Sequence, residues 1–346
     1  MRGNILITLK EIARQANVSV STVSRVLNND QEFKVKTETR QLILSIAREN
    51  NYQRNYKKKY IINNDETKKN ILILVRIDFE DEIKNPFFSV LRENIENSCV
   101  ANNFEYRVIH LENFTKVTDY DFYDGVIIIG MVSDKTIEEI KELYKNVVIL
   151  GHETQVKNVD SVIPELFDVT IEVIDHLLKN NCKTIGFMGG KSYIKDKDHS
   201  ILSIDNRYEA YKFYTKNLNV YDSKNVYITK YGFKYGYETM KTAINKGDLP
   251  DAFIIGNDTT SIGALKALSD ANLEVPDQIK IVSYDDTEYA LYTKATLTSV
   301  RIHTDEMAKS SIMLLNDRFL GREIGYKLVI PSNLILRESS IDKDIS

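Results

Sequence analysis

Cysteine is scarce in this chain, with Cys99 and Cys182 the two present. They lie far apart in no metal-type or redox-type spacing, so both read as buried or incidental thiols and not as a disulfide framework. The five histidines are scattered and form no metal-type cluster. Gly186, Gly189 and Gly190 do not compose a dinucleotide fingerprint, and neither a Walker A segment nor a nucleophile elbow is found. These absences argue against an enzyme, a bound metal and a cofactor. No apolar run reaches the roughly 18 residues that span a bilayer. Met1-Arg2-Gly3-Asn4 does not open a signal peptide, so a cytoplasmic protein without a membrane partner is expected.

What is present suggests a small head and a large body. At 346 residues the chain is too long for one ordinary core and suits a head plus two medium lobes. The net charge of -4 hides an asymmetry. Residues 1–60 carry six Arg and six Lys against five carboxylates, or +7, leaving -11 for the remaining 286 residues. A basic end on an acidic body concentrates attraction for phosphate at the head.

The head reads as two short helices and a turn. Thr8 can cap a first helix, with Glu11 completing a capping box and Leu9, Ile12, Ala13 and Ala16 making its apolar face. Asn17 tolerates the left-handed backbone that ends it, and Ser19 can cap a second helix from Val20 to Leu27 with Val23, Val26 and Leu27 inward. This spacing is that of a helix-turn-helix. Outward on the second helix, Arg25 suits a bidentate contact to guanine, Val20 a thymine methyl and Ser21 a base edge. Thr8, Ser19, Thr22 and Asn28 suit phosphate contacts that set register without reading sequence. A third helix is expected from Lys36 to Asn50, capped by Thr37, with Ile43, Ile46 and Ala47 inward. Between head and body, residues 52–69 are polar, and Arg54, Lys57, Lys58 and Lys59 can add salt-sensitive phosphate contacts or form a solvated charge run.

From Asn70 onward, apolar strand segments alternate with amphipathic helical ones, which specifies parallel sheets covered on both faces. So many units suggest two sheets, with lobe boundaries between Asp160 and Asp168 and after Asp285-Asp286. Ligands in such folds bind beyond the carboxyl ends of the strands, read here as Asp78, Asp124, Gly189-Gly190, Asn257-Asp258 and Asp285-Asp286. These suit a polyhydroxyl ligand: Arg207 can bridge two ring oxygens, and Phe79, Phe87 or Phe233 can cover an apolar sugar face. Asp258 and Asp285 can equally be helix caps with no ligand.

The head from Thr8 to Asn28 resembles the signature of the LacI/GalR family of bacterial repressors. Asp124-Gly-Val-Ile, Ile185 to Gly190, Asn206 to Ala210, Asn257 to Ala264, Val282 to Asp286, Leu297 to Val300 and Leu336 to Ser340 extend the resemblance along nearly the whole chain. It implies an all-α helix-turn-helix head on an α/β, periplasmic-binding-protein-like core of two lobes with parallel sheets. It also implies a homodimer that reads a pseudo-palindromic operator on double-stranded DNA and binds a small effector, usually a sugar. By the same resemblance Val20, Ser21 and Arg25 read bases, while Arg207, Phe233, Asn257, Asp285 and a first-lobe loop from Asp78 to Phe88 meet the effector. Six residues follow Ser340, too few for the family's tetramerisation tail.

Two departures stand out. Asn17 replaces the usual turn glycine, and Arg54-Asn55-Tyr56-Lys57-Lys58-Lys59 replaces the linker whose leucine wedges the minor groove, leaving Tyr60 or Ile61 as substitutes. Residues Asp81 to Arg92 and the Lys-rich linker are similar to galactose- and lactose-type repressors of Gram-positive bacteria. The expectation is therefore a repressor of a sugar-utilisation operon relieved by galactose or a β-galactoside. Another sugar, a purine, or a sugar sensor that reads no operator are the alternatives. The expected domains are a head with basic linker at 6–62 and a core at 70–346. Within the core, one lobe would take about 70–166 and 293–325, the other about 167–290 and 326–346.

Overall fold

The computed structural model describes residues 9–27, 35–49, 68–76, 85–116, 122–195 and 200–341. Two units divide at 66/67.

The head contains α1 (Leu9–Gln15), α2 (Val20–Leu27) and α3 (Thr37–Glu49). Asn17 closes the turn at φ 51°, the left-handed region that asparagine tolerates. Ser19 caps α2 by accepting the Thr22 amide at 3.1 Å. Ile12, Ala13, Ala16, Val23, Val26, Ile43, Ile46 and Ala47 form one buried cluster, so the three helices share a core although each is short. Glu11 accepts hydrogen bonds from Arg14 and Gln15 on its own helix. Thr37 was expected as the cap of the third helix but is its first helical residue. The Arg40 amide bonds the Lys36 carbonyl at 3.0 Å, which puts Lys36 in the cap position.

The first half of the body runs β1 (Asn70–Val75), α4 (Pro86–Ala101), β2 (Glu105–His110), β3 (Gly125–Ile129), α5 (Asp134–Leu143), β4 (Val147–Leu150), β5 (Asp160–Pro164) and α6 (Phe167–Lys179). Then come β6 (Ile185–Lys195), β7 (Ser200–Ile204), α7 (Asn206–Asn217), β8 (Val226–Thr229), α8 (Phe233–Lys246), β9 (Ala252–Ile255) and α9 (Asp258–Asp270). The chain ends through β10 (Lys280–Asp285), β11 (Thr298–Arg301), α10 (Thr304–Phe319), β12 (Lys327–Ile330) and β13 (Asn333–Ile335). One sheet has the order β12-β5-β4-β3-β1-β2. Every pairing in it is parallel. The second has the order β13-β11-β10-β9-β6-β7 with β8 beside β6, and its parallel centre carries antiparallel β13 and β7.

Burial on both faces explains the unbroken apolar runs of the central strands. In the first lobe Ile71, Ile73 and Val75 meet Leu91, Ile95 and Cys99 of α4 and Ile312 and Leu315 of α10. On the other face Leu72, Leu74 and Ile128 meet Ile137 and Ile140 of α5. Both cysteines are buried thiols, and burial pushes that of Cys99 up to about 12. In the second lobe α8 and α9 touch at glycines: a Cβ on Gly263 would lie 2.0 Å from the Phe233 carbonyl oxygen. That close approach fixes the α8 amino end beside Thr260, whose hydroxyl accepts the Gly232 amide at 2.9 Å.

The lobe boundaries need correction near the C-terminus. β11 was expected in the first lobe, but it pairs with β10 in the second sheet. β12 was expected in the second lobe, but it pairs with β5 in the first. The chain therefore crosses between the lobes after Pro164, after Arg301 and after Ile330. Asp124 is corrected too, because it lies at the amino end of β3. There its carboxylate accepts the Asn70 amide and the Lys69 ammonium, both at 2.8 Å, and fastens β1 to β3. Among the described residues no helix is long and apolar enough to cross a membrane.

Candidate functional site

The exposed face of α2 follows from its helical period. Val23 and Val26 point into the head core, which leaves Val20, at 41% exposure, with Ser21 and Arg25 outward. Ser19, Ser21 and Thr22 bring their hydroxyls together at the amino end of α2, Ser19 Oγ lying 2.7 Å from Ser21 Oγ and 2.8 Å from Thr22 Oγ1. Small hydroxyls and one long cation on a helix face make a surface that can enter a major groove. Thr8, Asn28, Arg54, Lys57, Lys58 and Lys59 lie outside the described residues, as do Asp78 and Phe79 of the first-lobe loop.

In the body, a cavity of about 420 Å3 lies beside a crossover between the lobes. Its walls come from three places: Pro86, Phe87 and Val90 at the start of α4, Asp285 to Tyr289 after β10, and Arg301 to Asp305 in the crossover. The loop after β10 is shaped by two consecutive left-handed residues, Asp285 at φ 96° and Asp286 at φ 49°. Asp286 turns toward Arg301 Nε at 2.7 Å and Arg337 Nη1 at 2.6 Å. Asp258, buried beneath the loop, accepts the Thr287 amide at 2.7 Å and the hydroxyls of Thr287 and Ser299, each at 2.8 Å. Asp258 is thus a structural brace. Asp285 lines the cavity, and among the described residues no donor reaches its carboxyl.

Behind Asp285 sits a buried ion cluster. Asp205 caps α7 by accepting the Arg207 amide at 2.9 Å, and it also takes Arg207 Nε at 2.8 Å and Nη2 at 2.6 Å. Arg207 Nη2 donates to the Tyr231 hydroxyl at 2.9 Å, Nη1 donates to the Gly256 carbonyl, and Tyr231 donates to Asp205. Burial opposes both charges. Even so, Asp205 holds Arg207 well above its usual range, and Arg207 holds Asp205 below the carboxylate range. Burial first, then Asp258 and Asp205, push Asp285 up to about 8 against the opposing effect of Arg207.

That shift yields a pH prediction. Asp285 keeps its proton in the folded chain up to about pH 8, whereas an unfolded aspartate loses it near about pH 4. Its contribution is complete below the unfolded value and lost as pH rises through the folded one. Asp285→Asn cannot ionise and tolerates the same backbone. The variant should therefore gain stability relative to wild type between pH 5 and 8, by roughly 1–3 kcal/mol at the upper end, in urea titrations. Equal stability differences at both pH values would refute this.

The structure brings Phe87 and Asp285 into one cavity and sets Arg207 behind them. Asn257 instead caps α9, its Oδ1 accepting the Thr260 amide at 3.0 Å. Phe233 opens α8 at 41% exposure and meets the cavity indirectly, its ring 6.2 Å from that of Tyr289. The inner aromatic is Tyr231, 5.2 Å from the Arg207 guanidinium. Sequence reasoning missed Asp205 and Tyr231. Asp205 was legible as an Asp immediately before a helical segment, while nothing local marked Tyr231.

Comparison with known proteins agrees with this architecture. The model for bacterial regulatory proteins of the lacI family matches residues 8–55, and that for a periplasmic binding protein-like domain matches residues 174–340. The HTH-type transcriptional repressor MelR of Bacillus subtilis (strain 168) is 33% identical over 342 residues, 96% of this chain and 97% of that protein. The chain belongs to the LacI family of bacterial regulatory proteins. As a LacI-family member it is a DNA-binding transcriptional regulator. The HTH-type transcriptional regulator GalR of Streptococcus thermophilus is 31% identical over 335 residues, 96% of this chain and 99% of that one. Among solved structures, a CelR-cellobiose complex aligns with a TM-score of 0.67 at 21% identity, over 96% of this chain and 99% of that chain. The lac repressor dimer bound to operator and the anti-inducer ONPF gives a TM-score of 0.67 at 20% identity, over 98% of this chain and all of that one. These two show a shared fold.

Proposed function

We propose that this protein represses a sugar-utilisation operon as a homodimer and is released from its operator by a small sugar, galactose or a β-galactoside, bound between the lobes. The carrying observation is the cavity whose wall joins α4 of the first lobe to the β10 loop of the second through a crossover. A ligand held there touches both lobes and so favours one relative arrangement of them, which is what a switch requires. Relatives described as MelR and GalR regulators, and a shared fold with a cellobiose-bound regulator, support a sugar. In this reading Val20, Ser21 and Arg25 read base edges, Ser19 and Thr22 hold phosphates, and Phe87 and Asp285 meet the sugar. No cofactor takes part.

The test is operator binding by the purified protein on DNA upstream of its own gene, titrated with galactose, lactose and unrelated sugars at fixed salt. Release by galactose or lactose supports the reading, and release by an unrelated sugar alone would change the inducer. Arg25→Ala should cost about 1–3 kcal/mol of operator discrimination while leaving salt-dependent non-specific binding in place. Unchanged discrimination in competition gel shifts would remove Arg25 from the reading surface.

A further inference from the structure

Resting on the reading of this cavity as the effector site, we infer that Asp285 meets the effector as an un-ionised carboxylic acid, donating a hydrogen bond to a ligand oxygen, so that effector binding is linked to a proton. Three carboxyl groups stand within electrostatic reach of one another: Asp285 at the end of β10, Asp258 at the start of α9 and Asp205 at the cap of α7, with the Arg207 guanidinium among them. That guanidinium is committed to Asp205, which takes Nε at 2.8 Å and Nη2 at 2.6 Å, and it also donates to Tyr231 and the Gly256 carbonyl. Among the described residues Asp258 has no ion pair, but it accepts three hydrogen bonds, from the Thr287 amide and the hydroxyls of Thr287 and Ser299. Donors favour the charged form of a carboxyl and burial disfavours it. Where these neighbours must retain a proton, it settles on the carboxyl without donors, which is Asp285.

The other charged and titratable groups around the cavity are engaged elsewhere. From β11 and the C-terminal segment, Arg301 and Arg337 both go to Asp286, at 2.7 and 2.6 Å. At the start of α10, Asp305 takes the Lys309 ammonium at 3.2 Å, and His303 Nε2 lies 2.6 Å from Asn333 Oδ1. Glu288 accepts the Tyr292 hydroxyl at 3.3 Å, and the Tyr289 ring lies 6.2 Å from that of Phe233. Within β10, the buried Tyr284 hydroxyl is 2.7 Å from that of Thr170. α4 contributes Pro86, Phe87 and Val90, none of which titrates.

The backbone keeps Asp285 in this role. It stands at φ 96°, in a loop anchored after it by Asp286 on two guanidiniums and by Thr287 on Asp258, and its carboxyl lines the cavity. Burial first, then Asp258, push its pKa up to about 8. An un-ionised acid has one O–H donor as well as acceptor capacity, whereas a carboxylate only accepts. That O–H is a donor awaiting an acceptor, which a sugar hydroxyl or ring oxygen supplies. Ionised, Asp285 would turn lone pairs toward that oxygen and carry a charge that no cation matches.

The experiment is calorimetric titration of the full-length protein with galactose and lactose at pH 7, 8 and 9, at fixed salt and in buffers of different ionisation enthalpy, with folding checked by circular dichroism at each pH. Affinity should fall about 10-fold from pH 7 to pH 9, and binding at pH 9 should take up about one proton per site. Asp285→Asn keeps a donor and cannot ionise, so it should abolish both the slope and the proton uptake. An affinity that is flat or rises across this range, or a slope that survives in Asp285→Asn, overturns the inference and leaves the cavity as the effector site. Phe87→Ala, which strips another part of the wall, should weaken binding at every pH without changing the slope. Binding that ignores Phe87→Ala, or binding of neither sugar at any pH, ends the reading of the cavity as a galactose or lactose site and the inference with it.

Discussion

Asp160→Ala is expected to destabilise the first lobe by about 3–5 kcal/mol, because it leaves the buried Arg318 guanidinium without its counter-charge and Arg322 with only Asp317, at 3.7 Å. Asp160 is fully buried at the start of β5. Its carboxylate takes Arg318 Nε at 2.5 Å, Arg322 Nη1 at 2.8 Å and Nη2 at 2.9 Å, and the Tyr326 amide at 2.6 Å. It thereby ties α10 and the strand that follows to β5, 158 residues from Arg318 in sequence. Burial opposes the charge, yet the bonds from Arg322 and Arg318 hold this carboxyl below its ordinary range. The lowered value means the contribution is present above the unfolded pKa and lost as pH falls through the folded one. The gap between wild type and Asp160→Ala in urea midpoints should therefore narrow in acid. A midpoint at pH 7 matching wild type would show that the network contributes nothing net.

Arg207→Ala should have a comparable cost, about 3–5 kcal/mol, and should also remove the response to effector. The stability loss comes from Asp205, whose side chain is 5% exposed and would stay charged with Tyr231 and the α7 amide as its remaining partners. The functional loss comes from the position of Arg207 behind Asp285. A double-mutant cycle separates the two effects. Asp205→Asn with Arg207→Ala should recover a large part of the stability, since no buried charge is left unpaired, but none of the effector response. Additive stability losses would mean that the pair is not coupled. Effector release at wild-type concentrations in the double variant would place the sugar elsewhere.

Much of this protein was written in local sequence. The helix-turn-helix follows from Ile12, Ala13, Ala16, Val23 and Val26 at helical spacing, from Asn17 at the left-handed turn and from the Ser19 cap. Each of these acts over a few neighbouring residues. The alternation of apolar strands and amphipathic helices likewise determined that the body holds parallel sheets covered on both faces. Tertiary structure decided what depends on distant partners. β11 and β12 are short apolar segments whose residues say nothing about which sheet they join; backbone pairing with β10 and β5 assigned them to opposite lobes from those expected. Asp124, Asp258 and Asp285 are the same residue type beside strands, yet one fastens two strand starts, one braces a loop and one faces the cavity. Asp160 reads as an ordinary strand residue until α10 delivers Arg318 to it. Hydrogen bonds between distant segments and the two left-handed residues at Asp285-Asp286 aim those carboxylates, and neither is encoded in the periodicity of a single segment.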